Sequence, residues 1–239
     1  MTTQGNFSEG PTQSSFAQHQ AVSFSKDEIP ALLNAKNFAK LLFNSVIIGN
    51  IGAVLIIVSV YLSLASQVSI ISISGSDINA GIEGGLVAAY VGILMQLIAL
   101  IYLRRSLKIL SGISPIFARP YLGANLALSA LALLLILLLA KPNMLIYITT
   151  LQPVPNLGDL ILLIIIGIIA LVDLVGFVMA VIIGSLRLRD RYGIEEFKTA
   201  TILLILSYII VFILVFPALR KYSTAVDKAL AIVQSSTII

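Results

Sequence analysis

The run from Gly158 to Arg191, GDLILLIIIGIIALVDLVGFVMAVIIGSLRLRDR, decides most of what this chain can become. Between Leu160 and Leu186 lie 27 residues with one ionisable side chain, Asp173, near the middle. A bilayer core of ~30 Å needs ~20 consecutive apolar residues in helical form. Hydrocarbon offers backbone amides no water, so such a segment must satisfy them inside a helix. Asp173, Gly176, Ala180 and Gly184 follow one another at i, i+3, i+7 and i+11, on one stripe of that helix. Small side chains on a stripe let a second backbone come close, and a carboxyl beside them can find a partner there. The sequence therefore predicts tight packing along Gly176, Ala180 and Gly184, with this helix at the centre of a bundle.

Four more apolar runs carry the same signal: Leu41 to Ala65, Leu86 to Leu103, Tyr121 to Ala140 and Ala200 to Leu219. Charged residues make up 11% of the chain, less than half the ~25% of soluble domains. The predicted fold class is all-α: an integral membrane helical bundle of about five transmembrane helices, with the lipid bilayer as its first partner. There is no cysteine, and the one histidine, His19, lies in a polar stretch. A bound metal, haem or other cofactor is therefore not expected. No Gly-rich phosphate loop, Ser–His–Asp set or metal-ligand spacing is present either, so the chain reads as a non-enzyme. The net charge of +4 needs no nucleic acid, because the basic residues sit at helix ends.

Residues 1–25 are rich in Gln, Ser and Thr and lack the basic start and apolar core of a signal peptide. They read as a disordered cytoplasmic tail that is not cleaved. Ser25-Lys26-Asp27-Glu28 has the form of a capping box, with Ser25 as N-cap. Over residues 26–40, Ile29, Leu32 and Leu33 oppose Asn34, Lys36, Asn37 and Lys40, which suggests an amphipathic helix lying on the membrane surface. Residues 41–219 then form the five-span domain, and 220–239 a C-terminal tail. Two loops are β-prone, Gln67–Ser74 and Leu145–Leu151 (LIYITTL), and Gly75-Ser76-Asp77 would turn the first. Pairing of the two would give a small extracellular β-cap; packing against headgroups is the alternative.

Lys and Arg concentrate after the second and fourth runs, at Arg104, Arg105, Lys108, Arg187, Arg189 and Arg191. By the positive-inside rule this predicts a multi-pass protein of the cell membrane with a cytoplasmic N-terminus and an extracellular C-terminus. These six side chains are the expected contacts to anionic lipid headgroups. Arg220, Lys221 and Lys228 run against that orientation, and a re-entrant fifth segment would return the C-terminus to the inside.

Asp173 is the sharpest candidate for function. Intramembrane carboxylates often mark proton or ion pathways, and they also serve as hydrogen-bonding glue between helices. Tyr90 stands 13 residues from Leu103, as Asp173 does from Leu186, so their depths are expected to match. Asn50, Gln96, Asn125 and Ser207 fall nearer the basic end and are expected to form an intramembrane polar layer.

The helical lead-in before the first run, LRRSLKIL after the second, and GSLRLRDRYGIEEFKTATILLIL carry a resemblance over residues 34–219. The chain resembles a group of archaeal multi-span membrane proteins of unknown function, DUF family nine-seven-three. That resemblance implies an archaeal cytoplasmic membrane, of a thermophile, and brings no activity or site residues. The residues themselves lead to a scaffold or accessory subunit of a membrane assembly, joined to other membrane subunits or to copies of itself. The alternative is a small proton-coupled transporter or channel using Asp173, with Tyr90 and the polar layer along its path.

Overall fold

The computed structural model describes residues 24–67, 74–150, 156–209 and 212–236. All regular structure among them is helical. Helix α1, Glu28–Gln67, runs 40 residues without interruption, about 60 Å at 1.5 Å per residue. Its start is the predicted capping box: the Glu28 carboxylate accepts from the Ser25 amide at 3.0 Å and the Ser25 hydroxyl from the Asp27 amide at 3.2 Å. Nothing between Lys40 and Leu41 breaks a helix, so residues 28–40 are the first turns of α1 and not a separate surface helix. Their apolar side, Ala31, Leu32, Ala35, Phe38 and Ala39, is buried in the protein core.

Helix α2, Gly75–Ile113, is capped by Ser74, whose hydroxyl accepts from the Asp77 amide. Gly75-Ser76-Asp77 thus opens a helix where the sequence suggested a strand turn, with Asp77 in the first turn to complement the helix dipole. It ends before Pro115, and a 3-10 turn, Pro115–Phe117, leads into α3, Ala118–Ala140. Helix α4, Asn143–Thr150, replaces the expected second strand of the β-cap. β-Propensity is a fit to a pleated, partnered surface, and LIYITT finds a helical alternative. Met144 and Leu145 are buried, and the Thr149 and Thr150 hydroxyls bond the carbonyls of Leu145 and Ile146. Residues 68–73 and 151 of the proposed cap lie outside the described residues, as does the tail up to residue 23.

Helix α5, Leu157–Phe177, begins at Asn156, whose side chain accepts from the Asp159 amide at 2.8 Å. It passes through a π-helical turn, Val178–Ile183, into α6, Gly184–Tyr192, which stops at Gly193 with φ 69°. That left-handed conformation suits glycine. Helix α7, Glu196–Ile209, has 14 residues, fewer than the ~20 needed to cross. A second 3-10 turn, Phe212–Leu214, precedes α8, Val215–Ser236.

Four helices among the described residues are long and apolar enough to cross a membrane: Glu28–Ser66, Gly75–Ile113, Pro115–Ala140 and Leu157–Tyr192. The expected fifth span, 200–219, is instead divided between α7 and α8, with residues 210–211 outside the description. Pro217 lies in the first turn of α8, where a missing amide costs no helical hydrogen bond. α8 runs antiparallel to both α7 and α1: Phe216 meets Phe43, Tyr222 meets Phe38 and Phe197, and further on Asp227 meets Lys36 at 2.7 Å while Lys228 meets Glu196. The Lys228 ammonium holds the Glu196 carboxyl below its usual range. The end of α8 therefore lies at the same end of the bundle as Glu28. The sequence reading preferred chain ends on opposite sides and kept, as its alternative, a re-entrant fifth segment that returns the C-terminus.

The most extensive helix pair is α1 and α2, and it is closely packed. A methyl group added at Gly52 would lie 2.5 Å from the Ala89 amide nitrogen, and one at Gly92 would lie 2.7 Å from the Gly49 Cα. Added at Gly85 it would lie 2.9 Å from the Gly52 carbonyl oxygen. α5, expected at the centre, packs chiefly on α3 and lies at the edge; its outer side, including Ile161, Ile164, Ile168, Leu171 and Val175, is exposed as lipid-facing surface would be.

Two outcomes follow. Gly52→Ala should destabilise the detergent-solubilised protein by ~1–3 kcal/mol through overpacking. Gly84→Ala, with nothing within 4 Å of the added carbon, should leave the melting temperature unchanged or raised. Secondly, accessibility tags before residue 1 and after residue 239 should be modified from the same side of the membrane; labelling from opposite sides would contradict the α7–α8 hairpin.

Candidate functional site

The α3–α5 contact holds Asp173. A methyl group added at Gly176 would lie 2.5 Å from the Ala127 amide nitrogen, and one at Gly123 would lie 2.8 Å from the Ala180 nitrogen. Gly176 and Ala180 thus pack as the stripe predicted. Gly184 continues the contact more loosely: an added methyl group would lie 3.7 Å from the Leu107 side chain of α2 and the Pro120 side chain of α3, ordinary van der Waals distance. The same antiparallel register brings Asp173 opposite Ala130, which can donate nothing from its side chain. One carboxylate oxygen of Asp173, Oδ1, is buried without a hydrogen-bond partner among the described residues. The other also has no such partner and keeps some accessible surface.

Tyr90 is not beside Asp173. Its hydroxyl donates to the Leu138 carbonyl at 2.8 Å, eight residues along α3 from Ala130, or about 12 Å at 1.5 Å per residue. Matching depths from the basic ends fails because α2 continues to Ile113, well past Leu103, and α6 to Tyr192.

The predicted polar layer divides. Asn125 accepts from the Arg104 guanidinium at 2.5 Å. Ser207 is buried and donates to Leu204 of its own helix at 2.6 Å. Asn50 and Gln96 do come together, as walls of a cleft of about 310 Å³. Glycines 49 and 92 help create it. Gly49 has nothing within 4 Å of an added carbon, so its missing side chain leaves open space between α1 and α2. Ser45, Thr149 of α4, Phe177 and the facing ends of α7 and α8, Leu204 and Val215, complete the lining. Sequence reasoning did not connect these elements. The spacing of Ser45, Gly49, Gly52, Ile56 and Ser59, opposite Gly81, Gly85, Ala89 and Gly92, was the signal that could have done so.

The basic end also sorts differently from expectation. Arg191 is committed to Glu28 through two hydrogen bonds, Nε to Oε2 at 3.0 Å and Nη2 to Oε1 at 2.6 Å. Tyr192 donates to Glu28 Oε2 at 2.5 Å, and Phe24 stacks on Tyr192 with ring centres 5.7 Å apart. Glu28 is 0% exposed and the Arg191 side chain 12%, so Arg191 is an internal clamp, not a headgroup ligand. Arg189 and Arg187 both pair with Asp190, at 2.6 and 3.7 Å. Arg105 and Lys108 are exposed and pair with no acidic residue among those described, which leaves them available to headgroups. No group of three or more potential metal ligands occurs among the described residues.

No protein family, curated protein or solved structure matches the chain.

Glu28→Ala should cost about 3 kcal/mol, since it strands the Arg191 charge in a nearly closed site. A lowered melting temperature together with new protease cleavage near residue 24 is the expected pair of signals. An unchanged melting curve would show that the clamp does not hold α1 to α6.

Proposed function

We propose that the chain is a non-catalytic scaffold or accessory subunit of a membrane assembly. The observation that supports this is the Asp173 carboxyl. It stands on a helix at the edge of the bundle, with an accessible oxygen that no described residue of the same chain satisfies. A polar group at membrane depth is costly when left alone, and a neighbouring subunit or second copy would supply the missing donor. The exposed apolar side of α5 offers such a neighbour a large surface without competing charges. We also propose, on the resemblance of residues 34–219, that the chain belongs among the archaeal multi-span proteins it resembles, with the N-terminus cytoplasmic.

The same oxygen favours a second reading, proton carriage through Asp173. It has less support than the first, because Tyr90 and Asn125 bond elsewhere and Ser207 bonds its own helix.

Native mass spectrometry after extraction in mild detergent is expected to show a homo-oligomer or a stoichiometric complex with other membrane subunits. Asp173→Leu should weaken that association about 3- to 20-fold, the range of membrane hydrogen bonds of ~0.6–1.7 kcal/mol. Asp173→Asn, which still accepts and donates, should retain it. A monomer under the same conditions, with proton uptake into liposomes that Asp173→Asn abolishes, would replace the scaffold by the transporter.

A further inference from the structure

The cleft between α1, α2 and α4 plays no part in the assembly reading, and its chemistry is selective. It borders Leu42 to Ala53 of α1, inside the first apolar run, so whatever enters must be soluble in the bilayer. No ionisable side chain lines it. A charged head placed there would lose its hydration and find no counter-charge, a penalty of several kcal/mol per ion.

The polar groups of the lining are narrower still in what they accept. The Asn50 amide nitrogen is committed to the Val46 carbonyl at 2.5 Å. Only the nitrogen can donate to a carbonyl, so Oδ1 points away from that bond as an unfilled acceptor. The Ser45 hydroxyl donates to Leu42 at 2.9 Å and that of Thr149 to Leu145 at 2.8 Å, which leaves only lone pairs. Gln96 has no hydrogen-bond partner among the described residues. Its amide is a donor of the lining, beside the second N–H of Asn50, and its carbonyl a further acceptor. The unmet inventory is therefore several acceptors together with the N–H donors of Gln96 and Asn50.

A hydroxyl answers this inventory, because it donates one hydrogen bond and accepts others. A ketone or quinone oxygen answers the N–H donors of Gln96 and Asn50 but none of the acceptors. A carboxylate likewise lacks a donor and brings charge, and a quaternary ammonium brings charge and no hydrogen bond. A volume of about 310 Å³ is at the small end of ligand pockets, ~300–1,000 Å³, enough for a head and the first part of one tail. We propose that this cleft binds the uncharged, hydroxyl-bearing head of a single-chain membrane alcohol, with the Gln96 amide donating to the hydroxyl oxygen and the hydroxyl donating to Asn50 Oδ1.

The test uses the full chain in detergent and a photoreactive hexadecanol carrying a diazirine near its head. Crosslinks are expected on peptides of α1, α2 and α4. Unmodified hexadecanol should compete at least tenfold better than palmitate or hexadecyltrimethylammonium. Gln96→Leu should reduce specific labelling about tenfold. Gly49→Leu, which places a side chain in the open space of the cleft, should abolish it with the melting temperature kept. The second variant keeps the test decisive if Gln96→Leu folds poorly. Labelling spread over the outer face of α5, or competed equally by all three amphiphiles, would overturn the proposal. So would labelling unchanged in Gly49→Leu, or a cleft that takes up only water and shows no saturable labelling. Subunit association is a separate readout, so this site and the assembly reading stand or fall independently.

Discussion

Close backbone approach between α1 and α2 is the constraint on which the rest depends. Lipid tails are as apolar as leucine, so burial alone does not hold one spanning helix against another. Dispersion does, and it grows as the backbones come nearer. Gly52, Gly85 and Gly92 provide that approach, each in a position where a single methyl group would run into the opposite backbone. The long α1–α2 pair then offers the surface on which α3 and α8 pack, and α5 is attached through α3. The α3–α5 contact repeats the device on a smaller scale with Gly123 and Gly176.

The existence of most spans was legible in the sequence because lipid imposes a long apolar run on any helix that crosses it. The capping box at Ser25 and Glu28 was legible for the same local reason: its partners are three residues apart. Its other half was not. Arg191 lies 163 residues from Glu28, and a charge next to two other arginines reads as a headgroup ligand until the fold brings a carboxylate to it. The Gly176–Ala180 pair could be read from one helix, whereas the α1–α2 seam needed two stripes to be matched across an unknown register.

The C-terminal part was misread through a fair use of composition. Ala200 to Leu219 is apolar enough for a span, and Pro217 lies near the end of that run. Proline suits the first turn of a helix as well as it ends one. The amphipathic pattern beyond it, with Tyr222, Ala225, Val226, Ala229 and Val233 buried, was the signal that a helix starts there. Those residues find the apolar side of the first turns of α1, which had been assigned to the membrane surface. One misreading supported the other, because each apolar face was denied the partner that the other supplies. The basic residues Arg220, Lys221 and Lys228, which opposed the five-span orientation, fit a helix that returns to the basic end.

The seam also shows why a close-packed helix pair can carry an opening. Glycines bring two backbones together only where they face one another; a glycine turned slightly aside leaves a gap that no neighbouring atom fills. Gly92 faces Gly49 and would clash if enlarged, whereas Gly49 is turned toward open space. The same pair thus fixes the crossing of α1 and α2 and sets back one wall beside it. Asn50, next to Gly49, and Gln96, one turn from Gly92, border this gap. Asn50 is exposed and Gln96 partly buried, and in a wall facing lipid alone apolar side chains of similar volume would cost less, since unmet polar groups in hydrocarbon are unfavourable. Polar capacity and empty volume coincide in this gap between α1 and α2, and that coincidence separates the cleft from a packing defect.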